Sequence, residues 1–231
     1  MQKNGGPRIS GPGSDPGSKL EPDEGSEPSS RRAEILALAA DLFLTKGYAG
    51  TSMSALARAC GIQKASLYHH FPSKEALFVA CVTDGYDVAI RKLQQIQEDR
   101  GLSHEERMRR ALGEIYRITI DSPVGRMSPL IAEVSRQIPE VAQAFHDGFI
   151  LQQHEVVNAI LDAGEQDGAF AAHDRLGVIH MIFGPVVTLS ISRQMFAEME
   201  VLETRFPVEQ IRKAHCDLIL RLLRPEGGAL I

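Results

Sequence analysis

The sequence predicts an all-α protein in which a small helical module precedes a larger helical body. Apolar residues recur at helical spacing almost throughout. No run alternates apolar and polar residues with β-branched enrichment, and no internal repeat is present. The chain has 231 residues, 43% hydrophobic and 24% charged, so a core of ordinary size is expected.

Residues 1–30 stand apart. Six Gly, five Pro and six Ser fill the segment and its net charge is −2. So little apolar surface cannot offset the entropy of ordering, and a disordered tail over 1–29 is expected. The sign then reverses. Residues 31–77 carry +3, and 78–231 carry −6, toward a total of −5. A basic module joined to an acidic body suits a polyanion partner for the module, although scatter in solvated charge explains the same counts equally well.

The first helix is expected from about Arg31 to Lys46. Ile35, Leu38, Ala39, Leu42 and Phe43 form one stripe, Ser30 caps the start, and Gly47 supplies the left-handed stop. A short second helix follows, with Thr51 as its expected N-cap and Met53, Leu56, Ala57 and Cys60 inward. Gly61 ends it, and Ile62 turns back to the core. The third helix runs from about Lys64 to His70 with Leu67 and Phe71 inward. Lys64, Ala65, Ser66, Tyr68 and His69 are left outward. Two short helices joined at a tight glycine turn are a helix-turn-helix pattern, whose second helix enters the major groove by its first turn. Small outward residues allow close approach, and Lys64 suits phosphate or guanine acceptors. Ser73 then caps the next helix, with Glu75 in its first turn.

Thr51 to Leu77 reads TSMSALARACGIQKASLYHHFPSKEAL. With Gly47-Tyr48 before it, this stretch resembles the DNA-binding module of the tetracycline-repressor (TetR) family. The matching clusters are Leu56-Ala57, Gly61-Ile62, Leu67-Tyr68, His70-Phe71 and Ser73-Lys74-Glu75-Ala76-Leu77. The resemblance covers roughly residues 31–80. It implies a dimeric, ligand-responsive transcription regulator, with a helical ligand-binding and dimerisation body after the helix-turn-helix module. It also implies that Thr51, Tyr68 and Lys74 touch phosphates while the third helix reads bases. Three positions depart from the family pattern. Gln63 replaces a frequent Ser cap and is a longer base reader, Ala65 replaces a frequent Gly, and Ser52 replaces an apolar residue. The expected DNA-contacting set is therefore Thr51, Ser52, Gln63, Lys64, Ala65, Ser66, Tyr68, His69 and Lys74. The expected divisions are 1–29, 30–77 and 78–231.

In the body, a helix from Ser73 past Ile96 is expected to link module and body, with Gly85 permitting a bend. Ser103 and Glu106 form a capping-box pattern. Pro123 and Pro129 punctuate the next helix, and Pro139 opens one reaching about Asp162. A helix from about Asp174 to Met199 and another from Pro207 to Leu223 complete the chain. Leu176 to Ser192 lacks Asp, Glu, Lys and Arg but contains His180, Gly184 and Pro185, so it reads as a buried helix rather than a membrane span. In the family the last two long helices pair with their dyad mates, which implies a homodimer here. Val208, Ile211, Leu218, Ile219, Leu222 and Leu223 give the final helix its apolar face. A ligand cavity is expected among Tyr116, Phe145, Phe149, His180 and Phe183, with Met127 nearby, though each fills a core equally well.

Other chemistries find little support. No basic patch with an apolar run opens the chain, so no secretory leader is expected. Cys60, Cys81 and Cys216 are odd in number and far apart, which suits reduced thiols in the cytoplasm. His146 and His154, and His173 and His180, share helical faces about two turns apart, too far for direct shared ligation. No metal, no cofactor, no membrane association and no catalysis are expected. The expected partners are double-stranded operator DNA, a small-molecule effector and a second copy of the chain. The alternatives are a thiol-controlled regulator, or a helical carrier or enzyme with an incidental helix-turn-helix.

Overall fold

A computed structural model describes residues 28–84 and 87–225. Every regular element among them is helical. Residues 1–27 of the expected tail and Gly85 lie outside the described residues, whereas Pro28 and Ser29 begin the first helix.

The head contains α1 (Pro28–Lys46), α2 (Met53–Ala59), α3 (Lys64–His70) and the start of α4 (Lys74–Asp84). α1 begins before Ser30, which therefore lies within the helix rather than at its cap. α1 packs on α4 and α2, and α2 packs on α3. Ile35, Phe43, Leu56, Leu67, Leu77 and Phe78 are fully enclosed, each worth about 1.5–3 kcal/mol in removed apolar surface. The Phe78 ring meets Phe43 edge-on at 5.0 Å and Tyr48 at 5.1 Å, locking α1 to α4. Gly47 and Gly61 take φ of 70° and 63°, the left-handed turns expected after α1 and α2.

The N-cap of α2 is Ser52, not Thr51. Ser52 Oγ accepts from the Ala55 amide at 3.2 Å. Thr51 instead donates its hydroxyl to the Gly47 carbonyl at 2.8 Å and is buried. The cause is Gly47, whose left-handed turn points its carbonyl into reach of the next available hydroxyl.

The body continues with α5 (Asp87–Glu98), α6 (His104–Tyr116), α7 (Pro123–Arg126), α8 (Ser128–Val134), α9 (Pro139–Phe145), α10 (Leu151–Gln166), α11 (Arg175–Met195), α12 (Leu202–Arg205) and α13 (Val208–Leu223). Wide π turns follow α6 at Arg117–Asp121 and α9 at His146–Ile150. The expected helix from Pro139 to about Asp162 is therefore a helix, a π turn and a second helix, and it ends at Gln166. Ser103 caps α6 through the Glu106 amide at 3.2 Å, but the Glu106 carboxylate turns to Arg110 at 2.8 Å rather than back to the cap. Asp174 caps α11 at 2.7 Å. α11 ends at Met195, earlier than expected. The chain there turns back, with Phe196 stacked on Phe206 at 5.6 Å and Arg193 donating to the Phe206 carbonyl at 2.7 Å.

Only one face of α11 is buried, through Val178, Ile179, Ile182, Val186 and Leu189. Leu176, Met181, Val187, Ile191 and Met195 are exposed, as is Leu218 of α13. In the single chain α11 is therefore enclosed along one side only. α11 is long and apolar enough to cross a membrane by length and composition, yet it packs on α6, α10, α13 and the first π turn along its inner side.

Pro185 sits inside α11 and has no N–H, so the Met181 carbonyl loses its helical partner. His215 of α13 replaces that donor, with Nε2 3.0 Å from the Met181 oxygen. Its other nitrogen, Nδ1, is 3.1 Å from the hydroxyl of Tyr116 in α6, so the tyrosine donates to it. One neutral imidazole thereby joins three helices. Burial holds His215 below the ordinary histidine range, against the opposing pull of the Met181 carbonyl. Burial pushes Tyr116 up to about 12.

A histidine whose folded value is depressed contributes stability that is present above its unfolded value and is lost as pH falls. Thermal melts of the protein should therefore drop as pH is lowered through the ordinary histidine range. His215→Leu should cost about 1–3 kcal/mol near neutral pH by orphaning the Met181 carbonyl, and it should flatten part of that pH dependence.

Candidate nucleic-acid interface

The helix-turn-helix presents one polar face. Gln63, Lys64, Ala65, Ser66, Tyr68 and His69 are exposed on and beside α3, while Leu67 and Phe71 anchor its opposite side in the core. Gln63 occupies the N-cap position with extended backbone but makes no side-chain cap, which leaves its amide group to point outward. Lys64 Nζ lies 5.7 Å from the Tyr68 ring centre, one turn along the same face. Ser52 is exposed at the start of α2.

Two expected phosphate contacts turn out to be structural in the free chain. Thr51 is enclosed, as described above. Lys74 donates from Nζ to the carbonyls of Tyr48 at 3.0 Å and Thr51 at 3.1 Å, and it stands 4.1 Å from the centre of the Tyr48 ring. Tyr48 in turn donates to Glu75 at 2.9 Å. Burial first, then Glu75, pushes the Tyr48 hydroxyl far above its usual value. The Glu75 carboxyl is held below the ordinary range by its own backbone amide, Ser73 and Tyr48. This latch ties the α1–α2 turn to α4. Arg31 closes the other side, donating to the Cys60 carbonyl at 2.8 Å where α2 ends. The positioning roles of Tyr48 and Arg31 were not read from the sequence. Tyr48 was visible there only as half of the Gly47-Tyr48 pair.

The expected ligand residues do not come together. Tyr116 is committed to His215 in the core. His180 is exposed on α11 and lies 2.8 Å from the Leu176 carbonyl through Nδ1. The Phe183 ring lies tilted against His154 at 4.7 Å, and both line a shallow cleft of about 320 Å³ with His180 on the outer face of α11. Phe145 and Phe149 form a separate pair at 5.4 Å at the second π turn. Beside that turn a cleft of about 360 Å³ is lined by Ile90, Arg91 and Gln94 of α5 with Gly148 and Gln152. Met127 is fully enclosed. Gln153 is buried with its amide oxygen unpartnered among the described residues. Its place on the stripe Phe149, Val156, Val157, Ile160 was the sequence signal that a polar group enters the body's interior.

All three thiols are buried. Burial raises Cys60 and Cys216 above the ordinary thiol range, and nearby arginines only partly offset it. Raised, enclosed thiols are poor nucleophiles. Among the described residues no three His, Cys, Asp or Glu side chains gather as a metal site.

A short helix with a solvent-facing polar and basic surface, braced behind by a second helix at a glycine turn, is the arrangement of a helix-turn-helix DNA-binding module. Residues 35–81 match the family of bacterial regulatory proteins, tetR family. The HTH-type transcriptional repressor KstR2 of Mycolicibacterium smegmatis is 42% identical over 77 residues, which are 33% of this chain and 38% of that protein. KstR2 of Rhodococcus jostii is 29% identical over 148 residues, 64% of this chain and 72% of its own length. The fold of the whole extends to the transcriptional regulator FadR of Bacillus subtilis, solved in complex with stearoyl-CoA, with a TM-score of 0.64 at 16% identity over 83% of this chain and 99% of that one.

The latch and the reading face should separate on mutation. Lys74→Ala should lower thermal stability by about 1–3 kcal/mol, since it strips two carbonyls of a charged donor, and should weaken binding to every DNA sequence. Gln63→Ala should leave stability within about 0.5 kcal/mol of the parent, as for an exposed side chain without partners.

Proposed function

We propose that the chain is a homodimeric repressor that binds an operator through α3 and leaves it when a small organic molecule enters the body. The carrying observation is the exposed α3 face on a TetR-family head, joined to a body whose longest helix shows an uncovered apolar side. On this reading residues 30–77 are the reader and the chain from residue 78 senses and dimerises. Gln63, Lys64, Ala65, Ser66 and His69 face base edges, while Tyr68 and Ser52 face phosphates. Lys74 and Thr51 act chiefly by holding the turn in place. The protein works in the cytoplasm, where its DNA is, and catalyses no reaction.

Dimerisation follows from the apolar side of α11 with Leu218 of α13. Large apolar side chains gathered on one face are the mark of an interaction surface, and a two-fold pairing places the same face on both partners. Two α3 helices then stand about one helical turn of DNA apart, ~34 Å or somewhat more. The KstR2 relatives are repressors by name, and FadR holds an acyl-CoA. These favour repression and a small-molecule signal here. The site favoured for that signal is the cleft beside Gly148 with Phe145 and Phe149 at its π turn. π turns concentrate at functional sites. Because α9 packs on α4, a shift there is placed to reach the reader.

Leu218 is 62% exposed in the single chain. Leu218→Asp should leave the fold intact, halve the mass measured by light scattering and abolish the gel shift on DNA flanking the coding sequence. A parent mass equal to one chain would defeat the dimer reading. Binding-site selection with Gln63→Ala should relax one position of each half-site, a loss of ~1–3 kcal/mol of discrimination. An unchanged motif would remove Gln63 from the base readers. Phe149→Ala should raise the effector concentration needed for release, whereas His180→Ala should not.

A further inference from the structure

Head and body meet along a cleft of about 460 Å³ that neither the reader nor the body site uses. Phe43 and Leu44 at the end of α1 form one wall. Arg126 of α7 and Leu130 of α8 form the second, and Gln194 and Ala197 at the end of α11 form the third. Phe43 is fully enclosed at the floor, and Leu44 and Leu130 are half-buried. The walls are mainly apolar; Thr45 also lines the cleft but donates its hydroxyl within α1, to the Asp41 carbonyl at 2.9 Å, which leaves Arg126 and Gln194 as the polar groups open to a ligand.

Those polar groups are donors. The Arg126 side chain is exposed and has no partner among the described residues, whereas Arg109, Arg110, Arg117 and Arg175 each hold a carboxylate. Gln194 spends one N–H on Ser190 at 3.2 Å and keeps its second. A planar guanidinium and a side-chain amide lining the same cleft offer donors suited to a single carboxylate. One positive charge next to apolar walls disfavours a doubly charged phosphate, whose second charge would stay uncompensated.

We propose that this junction binds an amphipathic monocarboxylate, with its carboxylate on Arg126 and Gln194 and its apolar body on Phe43, Leu44, Leu130 and Ala197. Such a ligand touches the reader's first helix on one side and two body helices on the other. The end of α1 runs directly into the turn that Lys74 latches. Occupancy thus favours the head position in which the cleft is closed around the ligand, and it biases DNA affinity by whatever difference separates that position from the others. Since binding is measured without DNA, the test stands apart from the operator reading.

The experiment is calorimetric titration of the full chain with octanoate and, as its uncharged counterpart, octanol. Octanoate should bind at one site per chain, about tenfold tighter than octanol, the worth of a charge-assisted contact. Arg126→Gln should bring octanoate down to the affinity of octanol. Ala197→Phe, at an exposed position, should fill the cleft and weaken both. Gln152→Leu, in the body cleft, should change neither. Absence of saturable octanoate binding, equal affinity for the two probes, binding indifferent to Arg126→Gln or Ala197→Phe, or loss with Gln152→Leu would each overturn the proposal.

Discussion

Many short helices mean many helix ends, and each C-terminal end leaves backbone carbonyls without helical partners. Burying such a group unpaired costs more than a typical hydrogen bond returns. This fold meets the constraint with side chains reaching across from other elements. Lys74 serves the turn after α1, Arg31 the end of α2, His215 the carbonyl that Pro185 frees, and Arg193 the close of α12. Arg107 does the same for the α5–α6 connection, donating to the Asp99 carbonyl at 2.8 Å. His173 lies 2.7 Å from the Leu222 carbonyl as α13 ends. Each of these bonds also ties one segment of the chain to another.

The consequence in the head is a division between braced and open surface. Lys74, Tyr48, Glu75, Thr51 and Arg31 are committed to holding the helix-turn-helix, and their partners lie within the protein. Gln63, Lys64, Ser66, Tyr68 and His69 are exposed and bear little structural load. Substitutions on the outer face of α3 therefore leave the fold intact, because its exposed groups and the bracing groups do not overlap.

The body shows how close packing links distant parts. Gly125 lies so near the first π turn that a Cβ there would fall 2.3 Å from the Ile118 carbonyl oxygen and 2.4 Å from that of Thr119. α7 can therefore rest on the wide turn, and α7 also contacts α1 of the head. Ser190 of α11 donates to the Thr119 carbonyl of the same turn at 3.2 Å. Glu114, just before it, is buried. Burial opposes its charge, but Arg117 and Lys92 outweigh that and hold the carboxyl below the ordinary range. The π turn, the charged cluster and the head are thus linked through one chain of contacts.

Local chemistry determined much of this from sequence. Helical period, glycine stops at Gly47 and Gly61, caps at Ser73 and Ser103, and the clustered residues of 51–77 all act within a few positions, so they are legible along the chain. The outward face of α3 followed from the same periodicity. What tertiary structure decided were the long-range partners. Thr51 was read as a cap because a hydroxyl before a helix usually is one. The turn of Gly47 gave it a nearer acceptor and left the cap to Ser52. Tyr116, Phe149 and His180 all looked like cavity walls, but spacing along separate helices says nothing of which helices meet. Three-dimensional packing put the first against His215, the second at a π turn and the third on an outer face. α11 read as buried because composition reports how apolar a helix is, whereas its packing in three dimensions decides which of its sides the chain itself covers.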